Sequence, residues 1–251
     1  DIADIPEGAV TVFSAHGVST AVVESARARG LKVIDATCPL VTKVHLQAQR
    51  YSQRGYTIVV VGHAEHEEVE GTRGSVNGPV QVVGTLEEIA ALPMSRDAPV
   101  AYVTQTTLSM NDTRELIAAL EERYPDIVGP GLEDICYATM NRQRAVQQLA
   151  RRVDLIIVVG AHNSSNSNRL QEVAADSGVP AWLVEDEREV QPIWLEGVGS
   201  VGLTAGASTP EYLVRRVSEK LTELGAASVR ELPGLAETVR FRLPDSLSQA
   251  G

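Results

Sequence analysis

Two runs of β-branched residues, each closed by a glycine and each preceded by a cysteine at the same distance, constrain this chain more than any other feature. Thr57-Ile58-Val59-Val60-Val61 ends at Gly62, 24 residues after Cys38, and Leu155-Ile156-Ile157-Val158-Val159 ends at Gly160, 24 residues after Cys136. A short, continuous apolar run bounded by glycine reads as a buried strand of a parallel sheet, and the polar stretch before it as the helix that crosses over. A shift of 98 residues also sets Gly62-His63-Ala64-Glu65-His66-Glu67-Glu68 on Gly160-Ala161-His162-Asn163-Ser164-Ser165-Asn166. Both segments are polar and follow the carboxyl end of a strand, where open parallel sheets place their ligands. The expectation is a repeated α/β unit that brings a cysteine and a polar loop to one centre.

A second pattern recurs three times. Val10-Thr11-Val12-Phe13 runs through a polar loop to Ser19 and a helix from Thr20 to Arg29. Val100-Ala101-Tyr102-Val103 runs through Thr104 to Ser109 and a helix from Asp112 to Tyr124. A strand from Val198 to Leu203 leads through Thr204 to Ser208 into a last helix ending at Leu224, with Ser208 or Thr209 expected as its cap and Pro210 in its first turn. Three such halves stand against two cysteine halves, which implies a third cysteine half before residue 1. The expected domains are therefore 1–37, the remainder of a first α/β domain, then 38–134 and 135–230, with a Pro-punctuated tail over 231–251. Asp186-Glu187-Arg188-Glu189 reads as a solvated face.

Charge and cysteine usage narrow the function. Lys+Arg 22 against Asp+Glu 33 gives a net charge of −11, which opposes the phosphate neutralisation that nucleic-acid binding needs. Runs such as Thr57 to Val61 are far shorter than the roughly 20 residues of a membrane span. No secretory pattern opens the chain, so a cytoplasmic or organellar setting is expected, where cysteines serve metals or catalysis more than disulfides. Three cysteines on a pseudo-threefold axis would hold three irons of a cubane and leave the fourth open. Zinc on two cysteines and a histidine is the competing reading. Around that centre stand His16, His66, Glu68, Thr106, Ser164, Ser165, Asn166 and Ser208, many neutral donors with one carboxylate. Helix N-termini after Ser109 and Ser208 add N–H groups, which suits an anion such as a phosphate. His45, His63 and His162 are taken as structural.

These residues lie in segments that carry a resemblance. Phe13 to Ser19, Asp35 to His45, Gly62 to Thr72, Thr104 to Ser109, Asp134 to Thr139, Asn163 to Leu170 and Thr204 to Ser208 together resemble the 4-hydroxy-3-methylbut-2-enyl diphosphate reductases, which end the methylerythritol phosphate route to isoprenoids. The resemblance implies a trefoil of three similar α/β domains around a [4Fe-4S] cluster, the first domain here incomplete. It implies Cys38 and Cys136 as cluster ligands, with a third cysteine missing from this chain. His16, Ser164, Ser165, Asn166 and Ser208 would hold the diphosphate. Glu68, with Thr106 and His66 also against the substrate, would supply the proton that lets the hydroxyl leave as water. The implied partners are a small allylic diphosphate and an electron donor such as flavodoxin or ferredoxin, in the cytoplasm or a plastid stroma. A cluster-free module that binds small diphosphates without redox chemistry is the reading from another class.

Overall fold

The computed structural model describes residues 2–234, 239, 241–244 and 247. In chain order it holds β1 (Val10–Phe13), α1 (Thr20–Ala28), β2 (Lys32–Asp35), α2 (Pro39–Gln53), β3 (Thr57–Val61), α3 (Glu67–Gly74), β4 (Val80–Val83), α4 (Leu86–Ala90), β5 (Val100–Thr104) and α5 (Met110–Arg123). Then follow α6 (Tyr137–Ala150), β6 (Leu155–Val159), α7 (Ser165–Asp176), β7 (Ala181–Val184), β8 (Val201–Ala205) and α8 (Glu211–Glu223). The described strands form three parallel sheets, ordered β1-β2, β4-β3-β5 and β7-β6-β8. The two Val/Ile runs are the central strands, as their unbroken apolar character requires: Ile58 to Val61 and Leu155 to Val159 are all buried.

The chain divides into two compact units. Unit 1 comprises Asp1–Thr106, Asn111–Ile135 and Val239–Gly251; unit 2 comprises Thr107–Met110 and Cys136–Thr238. In unit 1 the face of α2 carrying Val44 and Ala48 covers Ile58, Val60, Ala101 and Val103 of β3 and β5. A smaller core of Phe13, Ala26 and Leu31 sits beneath α1. In unit 2 the sheet is covered on both faces: Val146, Leu170, Val173 and Ala174 of α6 and α7 pack on Ile156 and Val158. Val217 and Leu221 of α8 pack on Leu155, Ile157 and Val159. Odd and even residues of β6 thus go to opposite layers, the period of two that a doubly covered strand imposes.

Several expectations need correction. The polar segments after β3 and β6 are not loops to their ends: Glu67 and Glu68 already lie in α3, and Ser165 and Asn166 in α7. Their first turns are polar because they begin at side-chain caps, and the apolar residues that mark the helices, Val69 in one and Leu170, Val173 and Ala174 in the other, come later. Neither Ser208 nor Thr209 caps α8. Pro210 is the N-cap, without a side-chain bond, and the Thr209 hydroxyl donates instead to the Val159 carbonyl at 2.9 Å. The preceding strand runs on to Ala205, because Thr204 and Ala205 pair with Val158 and Val159. Asp186 to Glu189 is not simply solvated: it forms a 3₁₀ turn in which Asp186 binds Arg188, Glu187 pairs with Arg216, and Glu189 accepts from His162. Much of the tail expected over 231–251 lies outside the described residues.

Candidate active site

In unit 1 the site is built where α3 approaches the turn after β1. Gly17 stands at φ 75°, and a Cβ on Gly71 or Gly74 would come within 3.2 Å of the Gly17 carbonyl oxygen or 2.3 Å of the Ser19 Cβ. Only bare backbone lets helix and turn meet this closely. The result is that the His16 ring stands edge-on to the His66 ring, centroids 5.4 Å apart, with His16 Nδ1 2.8 Å from Glu67 Oε2. His66 is also the N-cap of α3. Its Nδ1 accepts the Glu68 backbone N–H at 3.1 Å, so a neutral ring carries its proton on Nε2. Burial, reinforced by His16 and His63, holds its pKa below the usual histidine value.

Glu68 is 1% exposed. Its Oε1 accepts the Thr106 N–H at 2.7 Å and its Oε2 the Thr106 hydroxyl at 2.9 Å, a two-point clamp from a residue two positions past the end of β5. These bonds and the α3 N-terminus favour the carboxylate, yet burial outweighs them and pushes the pKa up to about 7. The group is therefore poised to hold or release a proton near neutrality. Gln105 stitches the same loops together: its backbone N–H donates to Val61, and its Oε1 accepts the His63 N–H at 3.1 Å.

A second buried carboxyl, Asp134, was not foreseen. It accepts from the Thr104 N–H at 3.3 Å and lies 3.7 Å from Lys43 Nζ, and burial raises its pKa against those two partners. Its position two residues before Cys136 was the available signal. Lys43 stands on α2, whose N-cap is Cys38, a half-buried free thiol with no cap hydrogen bond.

In unit 2, Ser164 caps α7 and accepts the Ser167 N–H at 3.4 Å, while Ser165 Oγ lies 2.9 Å from Thr107 Oγ1. Ser208 is exposed just beyond β8. Asn166 is 7% exposed, and neither its amide nitrogen nor its oxygen has a hydrogen-bond partner among the described residues. Leaving such a group unsatisfied costs about 1–3 kcal/mol, so a buried amide of this kind points to a ligand. The neighbouring Ser167 hydroxyl nests against two glycines at strand ends: a Cβ on Gly160 or Gly206 would lie 2.2 Å from it. Gln143, also not foreseen, ties the start of α5 to α6 by accepting from the Met110 N–H at 3.0 Å and donating to the Leu108 carbonyl at 2.7 Å. Cys136 caps α6 through its sulfur, which accepts the Thr139 N–H at 3.2 Å and lies 2.9 Å from the Thr139 hydroxyl.

Unit 1 thus brings together His16, His66, Glu68 and Thr106, and unit 2 brings together Ser164, Ser165 and Asn166. Cys38 and Cys136 are the N-caps of α2 and α6. Among the described residues no group of three or more His, Cys, Asp and Glu side chains is placed to hold a metal ion. The two thiols remain donors of the right chemistry for iron–sulfur ligation, two of the thiolates that such a cluster takes.

A family model described as LytB protein matches residues 1–222. The chain belongs to the LytB family. The 4-hydroxy-3-methylbut-2-enyl diphosphate reductase of Zymomonas mobilis is 52% identical over 247 residues, a match that covers 98% of this chain and 73% of that relative. Reductase 1 of Rhodopseudomonas palustris is 53% identical, with coverage of 100% and 82%. Among solved structures, the E-1-hydroxy-2-methyl-but-2-enyl-4-diphosphate reductase from Plasmodium falciparum superposes with a TM-score of 0.95 at 34% identity, over 100% of this chain and 79% of that one. A second, (E)-4-hydroxy-3-methyl-but-2-enyl diphosphate reductase, the terminal enzyme of the non-mevalonate pathway, gives 0.59 at 37% identity over 88% and 78%. The repeated parallel-sheet α/β architecture expected from the sequence is thus the LytB architecture.

Proposed function

We propose that this chain is a 4-hydroxy-3-methylbut-2-enyl diphosphate reductase, with Glu68 as the proton donor to the departing hydroxyl. The observation that carries the reading is the Glu68–Thr106 clamp, a carboxyl held near pKa 7 in a buried place. In the reaction the substrate's C–O bond breaks, the oxygen leaves as water with one proton, and two electrons and a second proton complete the alkene. Isopentenyl and dimethylallyl diphosphates are the products.

Protonated Glu68 supplies the proton that the hydroxyl takes as it leaves, and the Thr106 hydroxyl, already bonded to Oε2, orients that proton and offers a relay. His66 contributes an N–H at Nε2 toward substrate oxygen, its Nδ1 being committed to the helix cap. The first turn of α7 suits the diphosphate: Ser164 and Ser165 supply hydroxyls, Asn166 an amide with open bonding capacity, and the helix end its N–H groups. His16 and Ser208, both exposed, add further donors. Cys38 and Cys136 would hold an iron–sulfur cluster, which when bound supplies the reducing electrons.

Turnover of the allylic diphosphate by anaerobically reconstituted chain, driven by reduced methyl viologen, tests this. Glu68→Gln keeps the shape and the Thr106 contacts but removes the acid, and should cost roughly 10²- to 10⁴-fold in kcat with diphosphate affinity retained. Diphosphate binding without any reduction by the wild-type chain would favour the cluster-free module instead.

A further inference from the structure

Unit 1 carries a groove of about 480 Å³ along the outer face of α2, lined by Pro39, Lys43, Leu46, Arg50, Tyr51 and Arg54 among others. It begins at the residue next to Cys38. The helix contains no acidic residue, and Lys43, Arg50 and Arg54 fall at spacings of seven and four, so they share one face. Lys43 leans on Asp134 and the Glu133 carbonyl, but neither the Arg50 nor the Arg54 guanidinium has a hydrogen-bond or ion-pair partner among the described residues. Between the charges lie the 46%-exposed Leu46 and half-buried Tyr51. A small apolar centre flanked by unpaired arginines, on a chain of net charge −11, is a local reversal of sign.

We infer that this groove docks a small acidic one-electron carrier protein. The inference rests on the reductase reading, which needs two electrons from outside, delivered in two encounters that each oxidise the carrier by one electron. Three observations favour that occupant. The cationic face complements an acidic surface, whereas the chain's own net charge disfavours a second copy. Transient electron-transfer encounters depend on steering charge more than on area, and charge is what this face offers. Its near end, at Pro39, adjoins Cys38, which that reading makes a cluster ligand, so one end of the groove borders the electron's destination.

Calorimetric titration of the full chain with a purified plant-type ferredoxin at low ionic strength tests the docking without requiring turnover. Binding should weaken as salt rises, and Arg50→Glu/Arg54→Glu should raise Kd at least roughly tenfold, while the control Arg144→Glu/Arg151→Glu, on exposed residues of unit 2, leaves it unchanged. Circular dichroism and the single variant Arg54→Glu guard against misfolding. Equal affinity of the two double variants, or no heat with ferredoxin, overturns the proposal. Self-association of the wild-type chain that is lost in Arg50→Glu/Arg54→Glu, with no ferredoxin binding, assigns the groove to a second copy and overturns it as well. Viologen-driven turnover reports the reductase reading separately: the groove variants should keep wild-type rates with viologen, and a wild-type chain that binds ferredoxin yet reduces nothing retains the docking site and loses that reading.

Discussion

Replacing Glu68 by glutamine should make the protein more stable at alkaline pH and change little at acid pH. Burial raises the Glu68 pKa from 4.5 to about 7, so between these values the folded state holds a proton that the unfolded chain releases. Its contribution to stability is complete below about pH 4.5 and is lost as pH climbs through 7. At about 1.4 kcal/mol per pKa unit, the shift is worth on the order of 3 kcal/mol, with no discount for solvent because the side chain is 1% exposed. Glutamine accepts the Thr106 N–H and faces its hydroxyl as the protonated acid does, but does not titrate. Asp134, whose pKa is also raised, is present in both proteins, and its charge is the smallest of the influences on Glu68. Urea unfolding of both proteins at pH 4.5 and pH 8 measures this: the stability gap should open by roughly 3 kcal/mol in favour of Glu68→Gln. A gap independent of pH would refute the claim that Glu68 is protonated near neutrality.

Asn166→Leu should cost little stability, since it removes two buried polar atoms that are unsatisfied among the described residues, yet weaken pyrophosphate binding at least roughly tenfold by calorimetry. Thr85→Ala breaks the capping box of α4, in which Thr85 and Glu88 exchange bonds, and should cost about 1 kcal/mol in urea unfolding with turnover intact. Gly129→Ala places a Cβ 2.2 Å from the Tyr102 ring, which the Tyr102 hydroxyl's bond to the Gly131 N–H holds in place. It should destabilise by about 1–3 kcal/mol, read as a lowered midpoint.

The central strands were legible to the residue because Ile58 to Val61 and Leu155 to Val159 are apolar on both faces and are each followed by a glycine. Helix starts were less so. His66, Ser164 and Pro210 each open a helix before any apolar periodicity begins, and a polar first turn reads as loop. The repeat brought Glu68 and Asn166 into view, but not how they differ: one carboxyl is clamped at both oxygens, while the equivalent amide has no partner among the described residues. The clamp joins residues 38 apart by bringing α3 against the turn after β5, which no local spacing encodes. Asp134, Gln105 and Gln143 escaped for the same reason, since each acts on backbone or side chains brought to it by the fold.

The pH dependence of kcat/KM for the allylic diphosphate, measured with reduced methyl viologen for the reconstituted wild-type chain and for Glu68→Gln, tests the central claim most directly. If Glu68 delivers the proton, the wild-type value falls as pH rises through about 7, and the variant loses that limb together with roughly 10²- to 10⁴-fold of its rate. A wild-type limb near 7 that persists unchanged in Glu68→Gln, or a variant turning over at the wild-type rate, would contradict it.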